Sequence, residues 1–308
     1  MAIRHLLQLE GMEPAAVQEI LELAMRFKAD VLTADRCKRH ELAGRAIMNC
    51  FFEPSTRTKT SFELAGKYLG ADVVNFQTRG SSLEKGETLE DTARTLEAMA
   101  IDVLVIRHQV SGIPERLAAR VKVPVINAGD GFHEHPTQGL LDLLTVYEEW
   151  GHIAGLHLVI VGDILHSRVA RSDLWGFLAL GAHVTLVGPP QLLPRDWERP
   201  GLRVTASLKS ALAEADVIQV LRIQKERQSL VGLPSWEEYR ARWGITRDVL
   251  GSLREHTLIM HPGPQNRGVE IDSEVISGRT SKIAQQVTNG VAVRMAVLTW
   301  VLGGPYDR

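Results

Sequence analysis

Two cysteines, Cys37 and Cys50, stand in 308 residues. So few leave no disulfide framework, and thiols of this kind fit a reducing cytosol. An excess of charge of one sign is missing too, since 35 Lys and Arg stand against 37 Asp and Glu. That balance excludes a general nucleic-acid or anionic-membrane surface, while leaving room for a local cationic pocket. Long apolar runs are scarce. The first ten residues hold too short a run for a signal peptide. The last apolar stretch, 291–302, is interrupted by Arg294 and is too short to span a bilayer. Internal repeats and low-complexity tracts are absent. These absences predict a cytoplasmic protein with neither a membrane nor a nucleic-acid partner. What is present is an ordinary globular composition, 44% hydrophobic, in a chain long enough for two domains.

Apolar segments of strand length alternate with segments of helical period. Strands are predicted at 46–51, 71–76, 101–106 and 123–127, and again at 156–161, 183–188, 202–206, 216–221 and 257–260. Helices are predicted at 14–28, 56–69, 88–100, 112–120, 137–150 and 285–302. Such alternation predicts an α/β chain of two lobes, each a mainly parallel sheet flanked by helices. Two polar connections, 78–87 and 224–242, exceed ordinary loop length and read as binding loops or lids.

The stretch Phe52-Glu53-Pro54-Ser55-Thr56-Arg57-Thr58-Lys59-Thr60 is the most informative. It follows a buried strand and opens a helix. Ser55 is placed as the N-cap, its hydroxyl set to accept an orphan amide. The amides of Thr56, Arg57 and Thr58 would then point out of the helix start, where the macrodipole favours negative charge. With two hydroxyls and an Arg fork at one spot, a phosphate is the fitting ligand. A capped helix with a solvated Arg would account for Ser55 and Arg57 singly. It does not account for Ser-Thr-Arg-Thr between a buried strand and an amphipathic helix.

A second motif, Asn127 to Gln138, carries His133-Glu134-His135-Pro136-Thr137-Gln138 between a strand and a helix. A third, His261-Pro262-Gly263-Pro264, closes the strand at 257–260. Together with Ser55–Thr58 they resemble the carbamoyltransferase family. Lys85-Gly86-Glu87-Thr88 and Arg222-Ile223-Gln224-Lys225-Glu226-Arg227 narrow the resemblance to its aspartate-using branch. The motifs occur in the family's order nearly end to end. His-x-His also occurs in metal pairs, but Pro136 follows at once and no further ligand set stands at strand ends, so no metal is expected. No cofactor is implied either.

The resemblance implies transfer of a carbamoyl group from carbamoyl phosphate to the α-amine of aspartate, a step of pyrimidine biosynthesis. It implies that Ser55, Thr56, Arg57, Thr58, Arg107, His135 and Gln138 bind carbamoyl phosphate. Thr58, Arg107 and His135 would touch the carbonyl oxygen, and the Gly263 and Pro264 carbonyls would accept from the carbamoyl NH2. Arg57, Thr58, Arg107 and His135 are the implied catalytic set. Lys85, Arg168, Arg222 and Gln224 would bind aspartate, with Lys85, and a serine matching Ser82, reaching a neighbouring subunit's site in a homotrimer. Glu53 and Arg227 would make contacts on closure, Glu53 pairing with Arg168 or Arg227. The carbamoyl phosphate domain would be 1–136 with 286–308, the aspartate domain 150–285, and 137–149 the connecting helix. A regulatory chain or a dihydroorotase is a further conceivable partner of the trimer. The family often has Arg where Lys59 and Gln265 stand, so a bidentate ion pair at Lys59 is not expected. Two rival readings remain: carbamoylation of ornithine or another amino acid, and a two-lobed anion-binding protein without catalysis. A cationic amino-acid site opposes an ornithine ammonium, and the carbonyl-polarising set opposes a mere binding protein.

Overall fold

The computed structural model describes residues 3–32, 39–77, 82–223 and 234–303. Two compact units divide the chain, Met1–Leu144 with Val287–Arg308, and Thr145–Gln286.

In the first unit, strands β1 (Ala46–Phe51), β2 (Asp72–Phe76), β3 (Val103–His108) and β4 (Val125–Asp130) form a parallel sheet in the order β2-β1-β3-β4. The helices are α1 (Pro14–Leu32), α2 (Thr56–Tyr68), α3 (Leu89–Ala98) and α4 (Ile113–Ala118). Helix α5 (Pro136–Trp150) starts in this unit, and α11 (Ile283–Leu302) ends in it. Strands β1 and β3 read as apolar runs, broken only by Asn49 in β1 and by Arg107 and His108 at the end of β3, because helices cover both faces of a parallel sheet. One face packs Met48, Cys50, Leu104 and Ile106 against Ala93, Leu96, Ile113 and Leu117. Burial there pushes the Cys50 thiol up to about 12.

Gly66 lets α2 lie close on the sheet, since a Cβ there would sit 2.5 Å from Val73 Cγ2 and 3.0 Å from Ile47 Cδ1. The third strand starts later than its apolar run. Asp102 accepts from Arg45 Nη1 at 2.7 Å and from the Ala46 amide at 2.8 Å, which ties it to the edge of β1 before the ladder begins. At its far end β3 continues through Arg107, which pairs with Phe51. Arg107 is therefore the penultimate residue of a strand, not the residue after one.

In the second unit, β5 (His157–Val161), β6 (His183–Val187), β7 (Leu202–Thr205), β8 (Val217–Val220) and β9 (Leu258–Met260) form a parallel sheet ordered β7-β6-β5-β8-β9. Around it lie α6 (Arg168–Ala179), α7 (Leu208–Leu212), α8 (Trp236–Trp243), α9 (Arg247–Leu250) and α10 (Ser273–Ile276). Within the charged segment expected to be one long connection, residues 236–243 instead form a helix. Ser235 caps α8 by accepting the Glu238 amide at 3.1 Å. Tyr239 and Trp243 enter the core beside Val220, Ile223 and Ile259. Trp236, Tyr239 and Trp243 recur at i, i+3 and i+7, a helical stripe masked by the charges between them.

Candidate active site

Parallel strands end on the same edge, so their C-terminal residues gather there, where ligands of open α/β sheets bind. In the first unit that edge receives the turn after β1, the end of β3 and the loop after β4. Ser55 takes the N-cap position of α2 with extended backbone, φ −159°, but its side chain caps no amide. The hydroxyl thus does not compete with an anion for the first-turn donors. Thr58 is buried and Arg57 is exposed at the same helix start.

Arg107 Nη1 lies 3.5 Å from Thr58 Oγ1 and donates to the Ala128 carbonyl at 3.3 Å. Its Nη2 donates to Glu53 Oε1 at 3.1 Å. Thr58 Oγ1 is in turn 3.5 Å from His135 Nε2. Thr58, Arg107 and His135, drawn from three separate elements, therefore meet around one hydroxyl. Glu53 holds the Arg107 guanidinium, and Arg227, one of its two expected partners, lies outside the described residues. Lys85 is exposed at the end of a 3-10 turn, Ser82–Lys85.

The three side chains of His133-Glu134-His135 go to different partners. His133 Nδ1 lies 3.2 Å from Asp130. Glu134 accepts the Leu9 and Glu10 amides at 2.7 and 3.0 Å, pinning the N-terminal segment to this loop. His135 turns to Thr58. Among the described residues no group of three or more His, Cys, Asp and Glu is arranged to hold a metal ion. Asp130 organises the loop from beneath, accepting from the Gly112 amide and from Asn127 Nδ2, each at 2.7 Å. Burial pushes the Asp130 carboxyl up, but the bonds from His133, Gly112 and Asn127 outweigh it and hold it below the usual range.

One turn into α5, Gln138 Nε2 donates to both oxygens of Asp142, at 3.1 and 3.2 Å. On α11, Arg294 is buried, and Nη1 donates to Ser61 Oγ at 3.0 Å and to the Gly290 carbonyl at 2.8 Å. Sequence reading picked out neither Asp142 nor Arg294 as a site residue. The i, i+4 spacing of Gln138 and Asp142 was a legible signal for the first. The charge interrupting the last apolar run was the signal for the second.

In the second unit the C-terminal strand edge carries Arg168, Arg222, Gly263 and Pro264. Gly162 follows β5 at φ +139°, and a Cβ there would lie 2.9 Å from Leu221 Cβ. Only glycine fits that approach, which brings the ends of β5 and β8 together. Asp163 then accepts the His166 amide at 3.2 Å, Ser167 caps α6, and Arg168 is its first residue. Arg222, half-buried, follows β8. The loops after β8 and β9 are tied by Asn266 Nδ2 donating to the Ile223 carbonyl at 2.8 Å. His261 Nδ1 accepts the Gly263 amide at 2.8 Å, so the ring proton belongs on Nε2, which faces Glu270 at 3.3 Å. This bond fixes the turn that presents Gly263 and Pro264. Gln224 and Arg227 lie outside the described residues.

Thr58, Arg107 and His135 gathered at one edge of the first sheet, with Arg168 opening α6 and Arg222 following β8 in the second unit, are the arrangement of a group-transfer enzyme of α/β class. Two family models cover the chain. The carbamoyl-P binding domain of aspartate/ornithine carbamoyltransferase matches residues 4–148, and the Asp/Orn binding domain matches 154–301. The aspartate carbamoyltransferase catalytic subunit of Carboxydothermus hydrogenoformans is 50% identical over 302 residues, covering 98% of this chain and 96% of that protein. The aspartate transcarbamoylase of Trypanosoma cruzi, solved with N-(phosphonacetyl)-L-aspartic acid, superposes with a TM-score of 0.87 at 32% identity, over 97% of this chain and 96% of that one. Ornithine carbamoyltransferase from Pyrococcus furiosus gives 0.87 at 30% identity, over 99% and 98%. The chain belongs to the aspartate/ornithine carbamoyltransferase family.

Proposed function

We infer that this chain transfers the carbamoyl group of carbamoyl phosphate to the α-amine of L-aspartate, giving N-carbamoyl-L-aspartate and phosphate. The observation that carries the chemistry is the meeting of Arg107, Thr58 and His135 around one hydroxyl. Three donors from separate elements suit a carbonyl oxygen on which negative charge develops, and each such donor can contribute about 3 kcal/mol to lowering the barrier. The helix start at Ser55–Thr58, with Arg57, takes the phosphate. The Gly263 and Pro264 carbonyls accept from the carbamoyl NH2. Arg168, Arg222 and Gln224 take the two carboxylates of aspartate, the choice of amino acid that also fits the 50% identical relative.

The amine attacks the carbamoyl carbon, the carbon–oxygen bond to phosphate breaks, and the departing phosphate carries away the amine proton. The protein supplies position and electrostatics rather than a carboxylate base. Carbamoyl phosphate binding is assigned to 1–136 with 286–308, aspartate binding to 150–285, and the connection to 137–149. The chain acts as a homotrimer in which the exposed Lys85 serves a neighbouring chain's site, and Glu53 and Arg227 act in closure. The unpaired, buried Cys50 suits a reducing, cytoplasmic compartment. The activity places the chain in de novo pyrimidine biosynthesis. Phosphate release from carbamoyl phosphate tests the reading directly. Release is expected only when an amino-acid acceptor is added. Release at the same rate without one would make the protein a phosphatase.

A further inference from the structure

Gln138 is one of the residues assigned to carbamoyl phosphate, and an amide can face a ligand in two ways. Its NH2 end is a donor and its carbonyl end an acceptor. The buried Asp142 carboxylate lies against one end only, 3.1 and 3.2 Å from Nε2. An ionised carboxylate accepts and cannot donate, so the NH2 end must face it. That leaves Oε1 for the ligand. The carbamoyl group ends in an NH2, a donor, and needs an acceptor there.

A buried carboxylate would ordinarily shed its charge. One charge that interacts with it is Arg294, which lies deep in the same unit on α11. Its Nη1 meets only neutral acceptors, Ser61 Oγ and the Gly290 carbonyl, and its carbon Cζ stands 5.2 Å from the centre of the Phe62 ring. Among the described residues its Nε has no partner at all. Gly290 is what makes room, since a Cβ there would lie 2.6 Å from Nη1 and 3.4 Å from Leu141 Cδ2, beside Asp142. Burial, with the Arg107 charge adding to it, brings the Arg294 guanidinium down to about 9, and the Asp142 charge works the other way. Each of the two charges favours the other. A cation so poorly satisfied is a poor stabilising device. The buried Asp142 carboxylate is the acidic charge that favours its protonated form.

We propose that Asp142, backed by Arg294, is a positioning residue that locks the Gln138 amide with its carbonyl oxygen toward the carbamoyl NH2. This rests on the carbamoyl transfer inferred above. Inorganic phosphate has no NH2, so it separates orientation of the amide from general damage to the pocket. Asp142→Asn can donate as well as accept and frees the amide to flip. It should lower kcat/KM for carbamoyl phosphate on the order of 10- to 100-fold, the scale of one mispaired contact to substrate. Inhibition by inorganic phosphate should change by less than about 3-fold. In a Gln138→Ala background the same substitution should lose less than about 3-fold, because the two residues act as one unit.

Gln138→Glu is the second variant, for use if Asp142→Asn does not fold. It sets one carboxylate against another and should lose kcat/KM to a similar extent. Equal weakening of carbamoyl phosphate and phosphate by Asp142→Asn would mean a merely structural role and overturn the proposal. So would an equal loss in both backgrounds, or wild-type kinetics in Gln138→Glu. A wild-type chain without carbamoyl transfer would overturn the functional reading and this inference with it. An active wild type with unaffected Asp142→Asn overturns this inference alone.

Discussion

At the scale of single residues, the reactive groups are set by what surrounds them. Arg57 is exposed at a helix start whose cap residue leaves the first-turn amides alone. Arg57→Ala should therefore lower kcat/KM for carbamoyl phosphate by about two decades or more, the scale of removing one preorganised charge contact, with unfolding by denaturant unchanged. Cys50 stands at the other extreme. With its thiol pushed up to about 12, it should resist iodoacetamide at pH 8 in a Cys37→Ser background and react once urea unfolds the chain. Asp130 links the loop after β4 to pH. Its depressed carboxyl contributes stability that is present above the ordinary Asp value of about 3.9 and is lost as pH falls through the lower folded value. Asp130→Asn should destabilise the fold at neutral pH by about 1–3 kcal/mol and flatten this acid dependence, read from urea midpoints across pH. The gathering of Thr58 and His135 was legible because Ser-Thr-Arg-Thr and His-Pro-Thr-Gln are local strings. Asp142 and Arg294 each left a local trace, an i, i+4 spacing from Gln138 and a charge within an apolar run, but their link to one another depends on α5 and α11 lying together, which no local string encodes.

At the scale of elements, buried strands were the most legible features. β1 was placed at its residues because a doubly covered strand is a nearly continuous apolar run, here interrupted only by the buried Asn49. Boundaries slipped where a side chain intervened, as Asp102 does at the start of β3. The helix at 236–243 was obscured by its charged outer face, although its Trp236, Tyr239 and Trp243 stripe was there to be read. Close approach between elements was not visible in the sequence at all. Gly66 illustrates it, since nothing around it in the chain announces that α2 presses on Val73 and Ile47. Gly66→Ala should destabilise the first unit by about 1–3 kcal/mol through overpacking, measured by urea denaturation. An unchanged midpoint would mean that α2 can lift off the sheet without loss.

At the scale of the whole molecule, two units of parallel α/β architecture followed from the alternation of apolar segments, and the family membership agrees. The trimer assignment is tested by mixing chains. Lys85→Ala and His135→Ala subunits, each inactive alone, should regain activity when unfolded together and reassembled, because some sites then combine an intact lysine with an intact histidine. Verified mixed trimers without activity would mean that each site is built from one chain. Amino-acid choice is the central claim, since Arg168 at the start of α6 and Arg222 after β8 suit two carboxylates and oppose an ornithine ammonium. The purified chain is incubated with carbamoyl phosphate and equal concentrations of L-aspartate and L-ornithine, and the products are separated by chromatography. The account predicts N-carbamoyl-L-aspartate and no citrulline. Citrulline in equal or greater amount would contradict it.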